Sequence, residues 1–265
     1  MSAEAQTARP APPKKSVKPY LIAIAIIGFT IFAGQQINFS IAELGSNLVN
    51  AREFLAKFWP PDWEWAREEV PGPLIETFQI AILAAIIGCL VALPIAFWAS
   101  RLTAPNRWFY YIDKWFLNVV RTIPDIFWAM LFVVAVGFGA FAGTLALIMF
   151  SLSIMGKLLS ETIDSADPGP LEAAKSSGAR HTPAVRSAVM PQVLPNYVAY
   201  GLYIFELDIR ASTVLGIVGA GGIGRLLEAQ RAFFRFDRIM AVVVIIFIVV
   251  FAIEQVSVYV RRRLV

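Results

Sequence analysis

The sequence predicts an all-α integral membrane protein with six membrane-spanning helices. Three observations predict this class: 58% of the 265 residues are hydrophobic, the charged residues gather between apolar runs, and several of those runs are as long as a span. A hydrocarbon core about 30 Å thick requires roughly 20 apolar residues in a helix. We therefore expect a chain that crosses a membrane several times.

The order of the apolar runs predicts a tail followed by a single transmembrane domain. Residues 1–19 are rich in Pro and Lys and are predicted to form a disordered cytoplasmic tail, and the domain is predicted over 20–265. The expected spans run from Tyr20 into the thirties and then over about 74–99, 115–138, 141–163, 192–215 and 239–260.

The segment 35–73, between the first two spans, is expected on the outer side because it contains few Lys and Arg residues. Apolar residues at helical spacing predict an amphipathic helix on the outer surface; they are Ile41, Leu44, Leu48, Leu55 and Phe58. Three tryptophans follow, Trp59, Trp63 and Trp65. A lipid-interface anchor and a docking surface for an external partner both fit this pattern.

Basic residues in the other connections predict the cytoplasmic side. They are Arg101, Arg107 and Lys114, then Lys175, Arg180 and Arg186, and finally Arg261, Arg262 and Arg263. The connection 225–238 conflicts with this scheme, because it holds four arginines and faces outward if six spans start and finish inside. A re-entrant element around 212–224 would ease the conflict, since irregular backbone is tolerated where protein or a water-filled cavity surrounds it.

The predicted cytoplasmic loop 164–190 contains a compact helical motif. Its sequence runs Asp167-Pro168-Gly169-Pro170-Leu171-Glu172-Ala173-Ala174, with Gly178 next and Met190-Pro191 at the far end. The prolines can open a helix, Glu172 lies early in it, where the positive end of the helix dipole favours an acid, and Gly178 can end it. An ordinary amphipathic loop helix is the alternative to a specialised one.

This loop resembles the coupling loop of ABC importer permeases. The Glu-Ala-Ala triplet, the glycine and the final proline keep the family's spacing, whereas Ala188 and Met190 replace a larger apolar residue and a leucine. The resemblance implies that Glu172, Ala173, Ala174, Gly178 and Pro191 form a rigid knob in a cleft of a cytoplasmic ATPase. His181, the sole histidine, lacks a second ligand of the usual kind for a metal, and we expect it in solvent or against the ATPase.

A glycine-rich stretch follows the fifth expected span. The run Gly219-Ala220-Gly221-Gly222-Ile223-Gly224 matches a dinucleotide-binding fingerprint, but a membrane run follows instead of the rest of a βαβ unit. Glycines at membrane depth permit close helix packing or unwound backbone at a gate. The sequence over 209–224 and the phrase Arg121-Thr122-Ile123-Pro124 resemble the phosphonate branch of these permeases, and the resemblance covers about residues 72–260.

Ionisable residues at membrane depth are candidates for the transport pathway. Arg121, Arg210, Ser212 and Thr213 could donate hydrogen bonds to a phosphonate, and Glu206 accompanies Arg210. Ion pairs four residues apart, which would only hold helices together, are the alternative. The candidate pairs are Lys157 with Glu161, Glu206 with Arg210, and Arg121 with Asp125.

Taken with the resemblance, these features predict a type I (MetI-like) permease subunit that translocates phosphonate, phosphite or phosphate by alternating access. The resemblance implies a homodimer, a cytoplasmic ATPase dimer and an external binding protein, with membrane lipids around the subunit and no nucleic acid partner. The sequence has no Gly-x-x-x-x-Gly-Lys-Ser/Thr loop, so ATP and Mg²⁺ are assigned to the ATPase, and no cofactor or enzyme activity to this chain. Methionine or quaternary amine cargo remains open, as do a secondary transporter and an integral-membrane enzyme.

Overall fold

A computed structural model describes residues 17–37, 39 and 48–263 of the chain. The chain divides into two compact units, Met1–Ala56 and Lys57–Val265. In the first unit, α1 covers Lys18–Gln36 and α2 covers Leu48–Ala56. A proline in the first turn of α1 costs no hydrogen bond there, and none of the residues of α1 is buried.

Two predictions concern residues outside the described part of the chain. The disordered tail was predicted for residues 1–19, and residues 1–16 lie outside the described part of the chain. Ile41 and Leu44 of the predicted amphipathic helix lie outside the described part as well. These expectations stay predictions. The later part of that segment is helical, because α2 includes Leu48 and Leu55.

The second unit contains ten helices among its described residues, and no strand. They are α3 (Trp63–Glu69), α4 (Pro71–Trp98), α5 (Arg107–Thr122), α6 (Asp125–Val136), α7 (Ala140–Asp164), α8 (Gly169–Ser176), α9 (His181–Ala188), α10 (Met190–Ile217), α11 (Gly222–Ala232) and α12 (Phe236–Arg261).

Four of the described helices are long and apolar enough to cross a membrane, namely α1, α4, α7 and α12, and the bent pair α5–α6 would make a fifth. The expected spans at 74–99, 141–163 and 239–260 coincide with α4, α7 and α12 to within a few residues. α10 covers the expected span 192–215 and has 28 residues, but it carries two acids and an arginine within five positions. The sixth span therefore stays a prediction that rests on α10.

The expected single span at 115–138 is wrong in one respect, because the chain bends there. α5 and α6 meet at 88°. Ile123 lies in extended backbone (φ −77°, ψ 121°) before Pro124. Proline lacks the N–H that a continuous helix needs, and it disfavours helical backbone at the preceding residue. The apolar run thus forms two short helices rather than one straight span.

The centre of the second unit is the packing of α4 against α7. α4 buries a line of small residues, Ala81, Ala84, Ala85, Gly88, Ala92 and Ala96. A methyl group added at Gly88 would lie 2.5 Å from the Ser151 Cβ atom on α7, so the two backbones approach closely. Small residues allow this approach in membrane helices, where dispersion and hydrogen bonding replace the hydrophobic effect between helices.

A buried carboxylate joins α7 to α10 within this core. Asp208 is fully buried, and the Ser151 hydroxyl lies 2.8 Å and 3.0 Å from its two carboxylate oxygens. A buried acid without a hydrogen bond would cost several kcal/mol, so this contact fixes α10 at a defined rotation on α7. The acids and arginine of α10 therefore have fixed directions in the bundle.

Candidate functional site

The predicted coupling loop is a pair of short helices, α8 and α9, joined by a tight turn; we call this element the α8–α9 hairpin. Glu172 lies in the first turn of α8, and Gly178 in the turn has φ +83°, which a residue with a side chain rarely adopts. Glu172 and Ala173 are exposed, whereas Ala174 is half-buried. Pro191 lies in the first turn of α10, where it costs no hydrogen bond.

Apolar contacts and hydrogen bonds hold the hairpin on the helical bundle. Leu171 on α8 and Ala184 on α9 are both buried in the core cluster that includes the ends of α4 and α7. Gln192 on α10 clamps the start of the hairpin: its Oε1 accepts from the Asp167 N–H (3.0 Å), and its Nε2 donates to the Asp167 carbonyl oxygen (3.2 Å). The exposed face of α8 therefore stands on a rigid base.

The connection between α4 and α5 lies at the same end of the bundle as the hairpin. The Ser100 hydroxyl donates to Asp164 Oδ1 at the end of α7 (2.6 Å), and His181 Nε2 lies 2.8 Å from the Thr103 carbonyl oxygen. His181 was expected in solvent or against an ATPase; it is half-buried and contacts the chain's own backbone. Two of the three basic connections assigned to the cytoplasmic side are thus neighbours in space.

The glycine-rich stretch interrupts the chain between α10 and α11. We call residues 218–222 the glycine break. Gly219, Gly221 and Gly222 have φ values of +92°, +84° and +65°. The Gly139 N–H, in the turn between α6 and α7, donates to the Gly219 carbonyl oxygen (2.9 Å). The break is irregular backbone surrounded by protein, as a re-entrant element between α10 and α11 requires.

Neighbouring atoms leave no room for side chains in the glycine break. A methyl group added at Gly221 would lie 2.8 Å from the Ala140 backbone nitrogen and 2.9 Å from Glu76 Oε1, and one at Gly222 would lie 2.6 Å from Thr77 Oγ1. Real Cβ atoms essentially never approach other atoms this closely. Close packing against α4 and α7 is therefore one reason why these positions are glycine. The sequence alone had left open whether close packing or unwound backbone requires them.

Two residues at the start of α4 contact this region and were missed in the sequence. The buried Thr77 hydroxyl oxygen accepts a hydrogen bond from the Ile223 N–H (2.8 Å), and Glu76 lies 3.7 Å from Arg225. Glu76 could have been identified from the sequence, because it is the only charged residue in the 28-residue helix α4. No feature of the sequence singles out Thr77.

Three of the four arginines in the connection 225–238 pair with acids among the described residues. Besides Arg225 with Glu76, Arg231 binds Glu228 through two hydrogen bonds (2.6 and 2.7 Å), and Arg238 lies 3.2 Å from Asp62. The hydrogen bond from Arg231 lowers the pKa of Glu228 and raises that of Arg231. The pairing gives three of these charges local partners, but the conflict with the positive-inside pattern stays, because that pattern depends on Lys and Arg rather than on net charge.

Two of the candidate pathway charges, Glu206 and Arg210, form a three-residue cluster with Arg261. Glu206 is buried on α10 and makes ion pairs with Arg210 on the same helix and with Arg261 at the end of α12 (3.3 Å). The pair of Glu206 with Arg210 was expected; Arg261 had been treated only as a marker of topology. The side chain of Arg210 is about half exposed (49%) and lies in a groove between α10 and α12 that also contains Thr213 and Glu254.

The two hydroxyl groups near Arg210 bind the helix itself. Ser212 donates to the Ile209 carbonyl oxygen (2.9 Å), and Thr213 donates to the same oxygen (3.3 Å). Ser212 is buried, and Thr213 is half-buried. A ligand could receive a hydrogen bond from either hydroxyl only after that hydroxyl rotated away from the carbonyl.

The remaining expected pairs have different outcomes. Lys157 and Glu161 form an ion pair (3.4 Å), as their spacing predicts. The expected pair of Arg121 with Asp125 is wrong: among the described residues no ion pair joins them, because the bend at Pro124 places them on different helices. Arg121 is exposed near the end of α5, apart from the Glu206 cluster in sequence and helix.

The geometry described so far defines a class of protein: a helical membrane subunit with an exposed hairpin on a rigid base. In the described part of the chain, no group of three His, Cys, Asp or Glu residues could hold a metal ion. The chain belongs to the family described as "Binding-protein-dependent transport system inner membrane component", which matches residues 92–264. It is therefore an inner-membrane permease subunit of an ABC importer, with a transport role rather than an enzymatic one.

Individual relatives agree with the family. The chain is 33% identical over 238 residues to the putative phosphite transport system permease protein HtxC of Stutzerimonas stutzeri, covering 90% of this chain and 84% of HtxC. It is 37% identical over 206 residues to the phosphate-import permease protein PhnE of Mycolicibacterium smegmatis, covering 78% of this chain. The match spans only 39% of the length of that mycobacterial protein.

A solved structure shares the fold. The chain superimposes on a subunit of the inward-facing MetNI methionine ABC transporter with a TM-score of 0.63 and 21% sequence identity, over 72% of this chain and 93% of the other. The predicted all-α, MetI-like permease fold is therefore confirmed.

Proposed function

We propose that this permease subunit carries phosphonate, or the related oxyanions phosphite and phosphate, across the inner membrane. The observation that carries the proposal is the extended similarity to permeases named for phosphite and phosphate transport, at 33% and 37% identity. These cargoes share a tetrahedral phosphorus centre with anionic oxygens, which guanidinium groups bind through charge-assisted hydrogen bonds.

The subunit would act as a homodimer that alternates access between the two sides of the membrane. An external binding protein would deliver the cargo, and a cytoplasmic ATPase dimer would supply the energy. ATP and Mg²⁺ belong to that ATPase, and we propose no cofactor for this chain. Permease subunits of the family work with a binding protein, as the family description states; the homodimer is the finer part of the proposal.

The α8–α9 hairpin would be the contact with the ATPase. Glu172, Ala173 and Ala174 present the outer face of α8, and Gly178 and Pro191 set the geometry of the two ends. The clamp of Gln192 on Asp167 supports this role, because a hairpin that transmits force needs a rigid connection to α10. A push on α8 would then reach α10 directly.

α10 would line the pathway, with Arg210 as the main donor to the cargo. Glu206 fixes one side of its guanidinium, and the half-exposed remainder is free to bind an anion. Ser212 and Thr213 would donate after rotating from the Ile209 carbonyl. Arg121, on α5, would attract cargo at a separate position along the path.

The glycine break would act as the gate. Gly219, Gly221 and Gly222 hold the end of α10 against α4 and against the turn between α6 and α7. Movement of α10 would have to open or tilt this packed contact. The gate and the hairpin lie at opposite ends of α10, so one rigid helix would connect them.

The decisive experiment is ATPase activity of the reconstituted complex of permease, ATPase and binding protein. We expect phosphonate, phosphite or phosphate to stimulate hydrolysis and ³²P-labelled or ³³P-labelled cargo to accumulate in proteoliposomes. Arg210→Ala should lower transport more than it lowers assembly of the complex. Stimulation by methionine or a quaternary amine, with none by phosphorus oxyanions, would contradict the proposed cargo and leave the permease assignment intact.

Two further classes remain as alternatives to be tested in the same preparation. A secondary transporter or an integral-membrane enzyme would work without the ATPase. Cargo movement or turnover by the isolated chain in liposomes would favour one of them.

A further inference from the structure

A basic and aromatic cavity lies at the connection between α4 and α5, outside the proposed pathway. It has a volume of about 490 Å³ and is lined by Arg101, Ala104, Asn106, Arg107, Tyr110 and Tyr111. A second cavity of about 480 Å³ shares Arg101 and Tyr110 with it and adds Leu102, Lys114 and Asp164. We call the two together the basic pocket.

The backbone and side chain of Arg101 are fixed in this pocket. Its N–H donates to Asp164 Oδ1 (2.7 Å), and its Nε donates to the Tyr110 hydroxyl (3.0 Å). Lys114 Nζ lies 5.6 Å from the centre of the Tyr110 ring and 3.7 Å from Asp164 Oδ2. The contacts of the backbone N–H and of Nε hold Arg101 in place, and the two terminal nitrogens of its guanidinium group stay available to a ligand.

The pocket has an excess of positive charge. Three cations, Arg101, Arg107 and Lys114, face a single carboxylate, Asp164, which also accepts a hydrogen bond from Ser100. Among the described residues no carboxylate lies within ion-pair distance of Arg107, which is exposed. Guanidinium groups and a tyrosine hydroxyl at one cavity are the donors that a phosphate group binds.

The helix beside the pocket has the properties of a helix at the membrane surface. α5 has 16 residues and a length of about 24 Å, which is too short to cross the hydrocarbon core. Because α5 and α6 meet at 88°, only one of the two can run along the membrane normal. The apolar α6 is the helix whose composition suits the hydrocarbon core. Trp108, Tyr111 and Trp115 on α5 are exposed by 77%, 64% and 67%. Aromatic residues of this kind concentrate at the lipid headgroups.

We propose that the basic pocket binds the phosphate of an anionic phospholipid headgroup in the inner leaflet. Arg101 and Arg107 contact the phosphate oxygens, the hydroxyl of Tyr110 positions Arg101, and Trp108 and Trp115 lie against the lipid beside it. The exposed aromatic side chains favour a lipid over free phosphate, because free phosphate has no apolar part to cover them. No covalent step is involved.

Lipid binding at this pocket would also bear on the α8–α9 hairpin. The connection between α4 and α5 touches the hairpin where His181 meets the Thr103 carbonyl oxygen (2.8 Å) and touches the end of α7 at Asp164. A bound headgroup would hold this connection in place and thereby support the base of the hairpin. This consequence rests on the proposed role of the hairpin, whereas the lipid site does not.

The test measures binding of phosphatidylglycerol to the purified full chain, by native mass spectrometry and by titration in phosphatidylcholine nanodiscs. Arg107→Gln removes a charge from the pocket without breaking an ion pair among the described residues, and Arg262→Gln removes one from the basic residues 261–263, which the sequence also predicts at the cytoplasmic side. We expect Arg107→Gln to weaken phosphatidylglycerol binding about fivefold, and Arg262→Gln to weaken it less than about twofold.

Three outcomes decide the proposal. Equal losses in the two variants would overturn it, because they would indicate general attraction to the charged surface. Displacement of the lipid by millimolar inorganic phosphate, or retention of inorganic phosphate by the pocket in detergent without lipid, would overturn the lipid as ligand. Tyr110→Phe, which keeps the ring but removes the hydroxyl that orients Arg101, should weaken binding in the same direction as Arg107→Gln if the site is as described.

Discussion

The glycine break and the α8–α9 hairpin both depend on glycine, but for different physical reasons. Gly221 has φ +84° and is also packed against backbone and side-chain atoms of α7 and α4. Gly178 has nearly the same φ, +83°, yet no atom outside its immediate neighbours lies within 4 Å of the place where a methyl group would go. The first glycine is required for its backbone and its small size, and the second for its backbone alone.

The charged residues of the two regions differ in whether they are paired within the chain. Glu206, on the helix that leads to the glycine break, is buried between Arg210 and Arg261. Glu172 in the hairpin is exposed, and no hydrogen bond or ion pair of its carboxylate occurs among the described residues. Residues near the break are held within the chain, while those on the hairpin are available to another protein.

The largest effect on stability is expected for Gly221→Ala. Strain from the positive φ adds to the clash with Ala140 and Glu76, and together they should lower the free energy of unfolding by about 3 kcal/mol. Unfolding of the purified chain in mixed micelles of increasing SDS content measures this. The matched control is Gly201→Ala on α10, where nothing lies within 4 Å; alanine there should stabilise the helix by about 0.5–1 kcal/mol. Similar effects at the two positions would refute the packing argument.

Glu206→Gln should have the next largest effect. Removing the shared carboxylate leaves Arg210 and Arg261 close together without their counter-charge, and we expect a loss of about 2 kcal/mol, below the value for a fully buried pair because both arginines are partly exposed. Glu161→Gln serves as control, since that side chain is 57% exposed and, among the described residues, forms its ion pair with Lys157 alone. The control should change stability by less than about 0.5 kcal/mol in the same SDS assay. A larger effect from Glu161→Gln would contradict the difference in burial.

Sequence reasoning predicted the parts of this structure that depend on local patterns. The apolar runs located α4, α7 and α12, and the spacing of four located the pairs of Glu206 with Arg210 and of Lys157 with Glu161. The spacing failed for Arg121 and Asp125 because Pro124 bends the chain between them.

Contacts between distant segments could not be predicted. Thr77 binds the Ile223 N–H across 146 positions, and Arg261 reaches Glu206 across 55. No local pattern encodes such a pairing, because it depends on how complete helices pack. The sequence could mark the glycines as candidates for a gate, but it could not say which atoms of α4 and α7 would exclude side chains at those positions.

Gly178→Ala should have a smaller effect than either substitution near the break. Only the strain of the positive φ remains, so the loss of stability should be about 1 kcal/mol. Gly178→Asn should lose about half as much or less, because asparagine adopts this backbone conformation more readily. Unfolding in SDS compares the two variants. Equal losses from alanine and asparagine would indicate that something other than backbone conformation determines the effect.

Glu172→Gln should leave stability nearly unchanged and should still impair transport. An exposed carboxylate with no partner among the described residues contributes less than about 0.5 kcal/mol to folding. If the hairpin contacts the ATPase, the same carboxylate gains a partner there, and losing a charged hydrogen bond should lower cargo-stimulated ATPase activity of the complex about tenfold. Glu161→Gln, which changes an exposed acid on α7 outside both the hairpin and the outer segment, should change neither quantity appreciably. An unaltered ATPase response in Glu172→Gln would mean that its exposure reflects solvation alone, and the contrast between held and available charges would lose its functional meaning.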